Sequence, residues 1–245
     1  MSLNRYMPVV LCVLSTMLAC TAPSVAIPPG YTYITSWSKN TPASSIGGPQ
    51  ATPAGWPTGP IVANNPLATP FNISADTNGN SVAEITTLTG PLTVNLGLAS
   101  VTHVYTMIQG WWPSVGFQIA TVTFNGSAGA VQSFNLVDGT DVRDVYNNTY
   151  ADTINGTTTQ NVWMSADSYQ RLDEQVFTLS SAFLTQTLTS MTITPYTAGG
   201  GSPVPIFSAI TTQQTLPDVS VLASLLILSF TALVSGRRRL HLESK

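Results

Sequence analysis

Charge is what this chain has least of: Asp, Glu, Lys and Arg together make up 8% of its 245 residues. Both cysteines, Cys12 and Cys20, fall within the first twenty residues, so everything beyond them is cysteine-free. That excludes a disulfide framework and any thiolate-ligated metal from the body of the protein. Histidine is nearly absent too. With His103 alone ahead of the C-terminal tail, an imidazole-rich metal site is excluded and a Ser-His-Asp arrangement has a single candidate base. Between residues 27 and 214 the bases are Lys39, Arg143 and Arg171 against nine acids, a net charge of −6. Three scattered bases offer no phosphate-neutralising patch, which excludes nucleic acid as a partner.

What remains to solvate the surface is Thr, Ser, Asn and Gln. Thr favours strands, and Asn, Gly and Ser fill turns, so the composition points to an extracellular β protein. Arg5, an apolar run over 7–18 and the small residues Ser24-Val25-Ala26 form a secretory signal peptide spanning 1–26. A second reading of the same segment takes Met17-Leu18-Ala19-Cys20 as a lipobox with Cys20 as the acylated residue. At the other end, residues 219–236 carry no charge and run into Arg237, Arg238 and Arg239. This predicts a transmembrane helix with its arginine end on the cytoplasmic side, hence an exported, membrane-anchored protein whose body lies outside the cytoplasm.

Pro217-Asp218 before the apolar run, and the arginine cluster after it, resemble the sorting tails of PEP-CTERM type bacterial exported proteins. That resemblance implies an exosortase-like sorting peptidase as partner, with Pro217, Asp218, Arg237, Arg238 and Arg239 as the sorting and anchoring residues. This chain has Pro217-Asp218-Val219 where the family has Pro-Glu-Pro. The tail also resembles the Leu-Pro-x-Thr-Gly anchor of sortase substrates, with Val219 and Ser220 in place of Thr-Gly.

Residues 27–70 are rich in Pro, Gly, Ser and Thr and lack a sustained period, which reads as a leader of loop character; Tyr31-Thr32-Tyr33-Ile34 is its one candidate edge strand. From 71 to 214 short alternating or β-branched runs recur at 92–96, 101–108, 117–124, 131–137, 160–164, 175–179, 188–193 and 206–212. Turn signals such as Asn125-Gly126, Asp138-Gly139 and Asn155-Gly156 separate them, and residues 181–184 suit a single helical turn. The prediction is an all-β, antiparallel β-sandwich of jelly-roll kind, flanked by the signal helix and by the anchor at 215–245. The Asp141-Val142-Arg143-Asp144 and Arg171-Leu172-Asp173 stretches, with the strands around them, resemble an ectodomain found in PEP-CTERM proteins and, more loosely, the galactose-binding-like sandwiches of carbohydrate-binding modules.

Arg143 stands among Asp138, Asp141 and Asp144. It suits a structural ion pair, forking onto Asp144 or Asp173. The functional alternative is a Ca2+ site built from Asp138, Asp141 and backbone carbonyls; otherwise no cofactor is expected. Trp111 and Trp112, between Gly110 and Pro113, are either sugar-stacking aromatics in a loop or caps on the core. Asp173 and Glu174, adjacent on a strand, point to opposite faces and form no glycosidase pair by themselves. The expectation is a non-enzymatic surface or matrix protein that binds extracellular polysaccharide. A purely structural component, or a hydrolase using carboxylates of 138–144, are the alternatives.

Overall fold

A computed structural model describes residues 27–45, 56–196 and 203–216. Residues 1–26, and the tail that holds Pro217, Asp218, Arg237, Arg238 and Arg239, lie outside the described residues. Among the described residues no helix is long and apolar enough to cross a membrane.

Among the described residues twelve strands follow one another: β1 (Tyr31–Ile34), β2 (Gly59–Val62), β3 (Pro70–Ile73), β4 (Ala83–Glu84), β5 (Leu92–Ala99), β6 (Val101–Trp111), β7 (Gln118–Gly126), β8 (Val131–Val137), β9 (Thr159–Met164), β10 (Arg171–Thr178), β11 (Thr187–Pro195) and β12 (Val204–Gln214). The predicted single turn is the 3-10 helix Ser181–Leu184. One sheet has the order β1-β12-β6-β10-β9, with β4 also on β12; a second has the order β5-β11-β7-β8; β2 and β3 form a separate hairpin. All pairings between these strands are antiparallel. The described residues thus form an antiparallel, sandwich-like all-β fold.

The second sheet shows why alternation was readable. In β5, Leu92 and Val94 are buried while Thr93 and Asn95 are exposed, the period of a strand with one dry face. Val94, Val122, Phe124, Met191 and Ile193 of this sheet meet Val104, Ile108, Phe177, Phe207 and Ile210 of the other in the main core. Phe124, Phe134 and Phe177 sit 5.1–5.9 Å apart in tilted or edge-on pairs, each adding about 0.5–1.5 kcal/mol beyond area burial.

The first sheet is buried on both faces. Tyr105, Met107, Leu172, Ile206 and Ala209 on its outer side pack under Phe71 and Ile73 of the hairpin and under Trp56. Two-sided burial removes alternation, and β6 and β12 are consequently buried along most of their length. The residues 27–70 therefore contribute more than a leader: β1 pairs along β12, and β2 helps cover the second core.

Strand β12 sets the long axis. Val204 at its start pairs with Trp111, while Gln213 and Gln214 at its end pair with His103 and Val101 and, across the other edge, Gln213 pairs with Tyr31. Ten steps of roughly 3.3 Å put the Trp111 pole roughly 30 Å from the pole where β1 begins and β12 ends.

Candidate functional site

The loop between β6 and β7 carries the aromatic pair. Trp111, the last residue of β6, is half-buried against the second core. Trp112 follows with φ +53° and is 52% exposed. A left-handed backbone at a bulky residue costs of order 1 kcal/mol and persists where the surroundings over-determine it. Here it turns the second indole back onto the first: the rings stack with centroids 4.7 Å apart and planes 18° from parallel. Val115 (63% exposed) and Phe117 (54% exposed) are two further exposed apolar residues of the same loop. Buried Pro113 packs beside Gly110, where an added Cβ would lie 3.0 Å from the proline ring.

Asp138 holds this loop. Its Oδ2 accepts the Ser114 N–H at 3.1 Å, its carbonyl accepts the Gly116 N–H at 2.9 Å, and its own N–H is donated to the Phe117 carbonyl at 2.8 Å. The side chain is fully buried and Oδ1 has no hydrogen-bond partner. Burial pushes the carboxyl up to about 7; the Ser114 N–H pulls it down and nearby Asp144 pushes it further up. Asp141 does different work. Its Oδ2 accepts the Val137 N–H at 3.0 Å and its Oδ1 accepts from Asn155 Nδ2 at 3.3 Å. The two proposed calcium ligands are thus engaged with separate donors. Among the described residues no group of three or more His, Cys, Asp or Glu side chains gathers as a metal site.

Of the two carboxylates open to Arg143, Asp173 takes the fork. Arg143 donates Nε–H to Oδ2 at 2.7 Å and Nη2–H to Oδ1 at 2.6 Å, and Asn161 Nδ2 donates to the same carboxylate at 3.0 Å. Asp144 instead accepts the Tyr146 N–H at 2.9 Å, leaving its Oδ2 without a partner, and burial raises its pKa. Glu174 points the other way from Asp173 and accepts from Asn65 Nδ2 at 2.7 Å. His103 is half-buried, with Nδ1 3.0 Å from the Thr102 hydroxyl.

Reasoning from sequence missed Arg171, which is fully buried. It donates Nε–H to the Asp144 carbonyl at 3.0 Å and Nη1–H to Asn147 Oδ1 at 2.8 Å and Asp152 Oδ1 at 2.5 Å, tying β10 to the loop ahead of β9. The signal was its i, i+2 relation to Asp173, which places both on one face of a strand. The Arg143 fork and the Arg171 clamp give the long loop between β8 and β9 a rigid base, and Asp138 sits at that base.

Comparison of the chain with protein-family models, with curated proteins and with solved structures finds no match.

Proposed function

We propose that this chain is an exported, membrane-anchored, non-enzymatic surface or matrix protein whose sandwich, of jelly-roll and galactose-binding-like kind, binds extracellular polysaccharide through Trp112. The observation that carries the reading is the stacked pair Trp111–Trp112. One indole is fixed against the core and the other presents its flank to solvent on a loop pinned by a buried carboxylate. A half-exposed aromatic already stacked on its neighbour costs little further ordering when a sugar ring packs on it.

Position supports the same reading. Trp112 adjoins the pole opposite the one from which the chain leaves β12 toward residues 217–245. A protein held by that tail, sorted by an exosortase-like peptidase, would present Trp112 away from the membrane. No Ca2+ is invoked in this proposal: Asp138 Oδ2 and Asp141 Oδ2 each accept a backbone N–H.

Affinity electrophoresis of the full chain in detergent micelles, through gels containing neutral soluble polysaccharides, tests the binding half. Retardation that disappears in Trp112→Ala with thermal stability unchanged supports it; equal mobility of wild type and variant overturns it. Mass spectrometry of the mature protein from its native membrane tests the anchoring half, which fails if the intact polypeptide is recovered from cytosol.

A further inference from the structure

A second surface lies on the other sheet. Residues 35–39 after β1, the turn at 75–77, and Thr93 and Asn95 of β5 enclose an open cleft of about 610 Å³. Trp37 forms its apolar wall, held edge-on against Phe207 with ring centroids 4.7 Å apart. Lys39 donates to the Thr35 carbonyl at 2.9 Å and rests its ammonium 4.0 Å from the Trp37 ring centroid. Asp76 Oδ1 accepts the N–H groups of Asn78 and Asn80, each at 2.8 Å, while Oδ2 accepts from Asn80 Nδ2 at 3.2 Å and keeps acceptor capacity. One ammonium and one carboxylate leave the cleft with no net charge.

From that cleft the outer face of the second sheet continues as registered rows. Thr93, Thr192, Thr123 and Ser133 are successive partners across β5, β11, β7 and β8; Asn95, Ser190, Asn125 and Val131 form the next row; Thr194, Thr121 and Asn135 form a third. None of these side chains is charged, and Val131 is the only apolar one. Neighbours along the rows are hydrogen-bonded: Thr93 with Thr192 at 3.1 Å, Thr123 with Ser133 at 2.9 Å, Thr121 to Asn135 at 3.1 Å and Asn125 to Ser190 at 3.2 Å. The hydroxyls and amides are thus already ordered, at roughly 4.8 Å across strands and roughly 6.8 Å along them.

We propose that this cleft and the rows beside it are a second binding surface, for a neutral polysaccharide chain. The inference rests on the same ligand class as the Trp112 reading but on different residues. Hydroxyls and amides offer donors and acceptors together, which is what a polyhydroxylated chain presents in return. A protein partner fits poorly, because an interface core requires apolar area that these rows lack. A polyanion fits poorly as well, since the cleft's one base, Lys39, is matched in number by the Asp76 carboxylate and no base stands on the rows.

The test runs the full chain in detergent micelles through gels containing a neutral β-glucan, a neutral galactan or anionic polygalacturonate. Variants are Thr192→Glu in the central row, Asn95→Glu at the cleft, Thr192→Ser as the conservative control, and Trp112→Ala. The expected result is retention by a neutral polymer that falls about tenfold in Thr192→Glu and Asn95→Glu, with melting temperature held, and persists in Thr192→Ser. Unchanged retention in both Glu variants overturns this surface alone while a Trp112→Ala loss keeps the other reading. The reverse pattern overturns the Trp112 reading alone. Retention by polygalacturonate only, or a Glu variant that abolishes self-association in sedimentation without touching retention, also overturns the proposal. A wild-type chain retained by no gel overturns both.

Discussion

Arg143 grips Asp173 with two parallel hydrogen bonds of 2.7 and 2.6 Å, across thirty residues of sequence and next to the fully buried Arg171. Planar guanidinium and planar carboxylate match in a way no ammonium reproduces.

Arg143→Ala strands the Asp173 carboxylate, 1% exposed, with Asn161 as its remaining side-chain donor. Urea unfolding should show a loss of about 3–5 kcal/mol. Arg143→Lys should recover only a minor part of it, and the double variant Arg143→Met with Asp173→Asn most of it, because the unpaired buried charge is then gone. A full recovery by Lys would show that charge alone, not the fork, matters here.

The Asp138 carboxyl makes stability fall as pH rises. Below about pH 4 it is protonated in both folded and unfolded chains. From there to about 7 the unfolded chain releases a proton that the folded one keeps. The loss is complete above the folded value and amounts to at most about 4 kcal/mol at about 1.4 kcal/mol per unit. Asp144 and Glu174, both raised by burial, act in the same direction. Asp138→Asn should flatten the slope of melting temperature between pH 4 and 8 without abolishing it, and a slope equal to wild type would refute the assignment.

Trp112→Gly should separate stability from binding. Glycine adopts φ +53° without penalty, so relief of strain offsets the lost ring contact and unfolding free energy should change by no more than about 1 kcal/mol. Trp111→Ala, which opens the second core, should cost about 3 kcal/mol. Denaturant titration of the two variants, alongside polysaccharide retention, checks both statements.

Gly110→Ala places a methyl 3.0 Å from Pro113 Cβ and 3.3 Å from Ile119 Cδ1. Both neighbours are buried, so overpacking should cost about 1–3 kcal/mol. Because the methyl pushes on the proline beneath Trp112, near-ultraviolet circular dichroism of the stacked indoles should change along with the melting temperature.

Strand-level architecture was legible wherever one face of a strand is wet. β8 occupies the very residues, 131–137, whose alternation announced it, and β1 the four residues of its strand signal. β10 begins at Arg171, four residues ahead of the apolar run that suggested it, because Arg171, Asp173 and Glu174 are buried by partners far away in sequence. Polar residues satisfied only by tertiary contacts look like loop to a local reading. The same reason hid the role of Trp56 and of the β2–β3 hairpin, which matter only once a sheet exists for them to cover. The Trp37 cleft is assembled from three segments without a shared motif, whereas the indole pair is contiguous and so was visible at once.

The ladder between β6 and β12 has a mechanical consequence. Trp112 follows the end of β6 at one pole, and Leu216 follows the end of β12 at the other, with the two strands zipped antiparallel in between. Tension applied between those points pulls the strands lengthwise past each other, so the rungs share the load and must yield together. Tension applied instead between residue 30 and residue 216, which are neighbours, would open β1 from β12 one rung at a time. The described residues are stiff along the axis joining the indole pole to the exit of β12 and weaker where residues 30 and 216 meet.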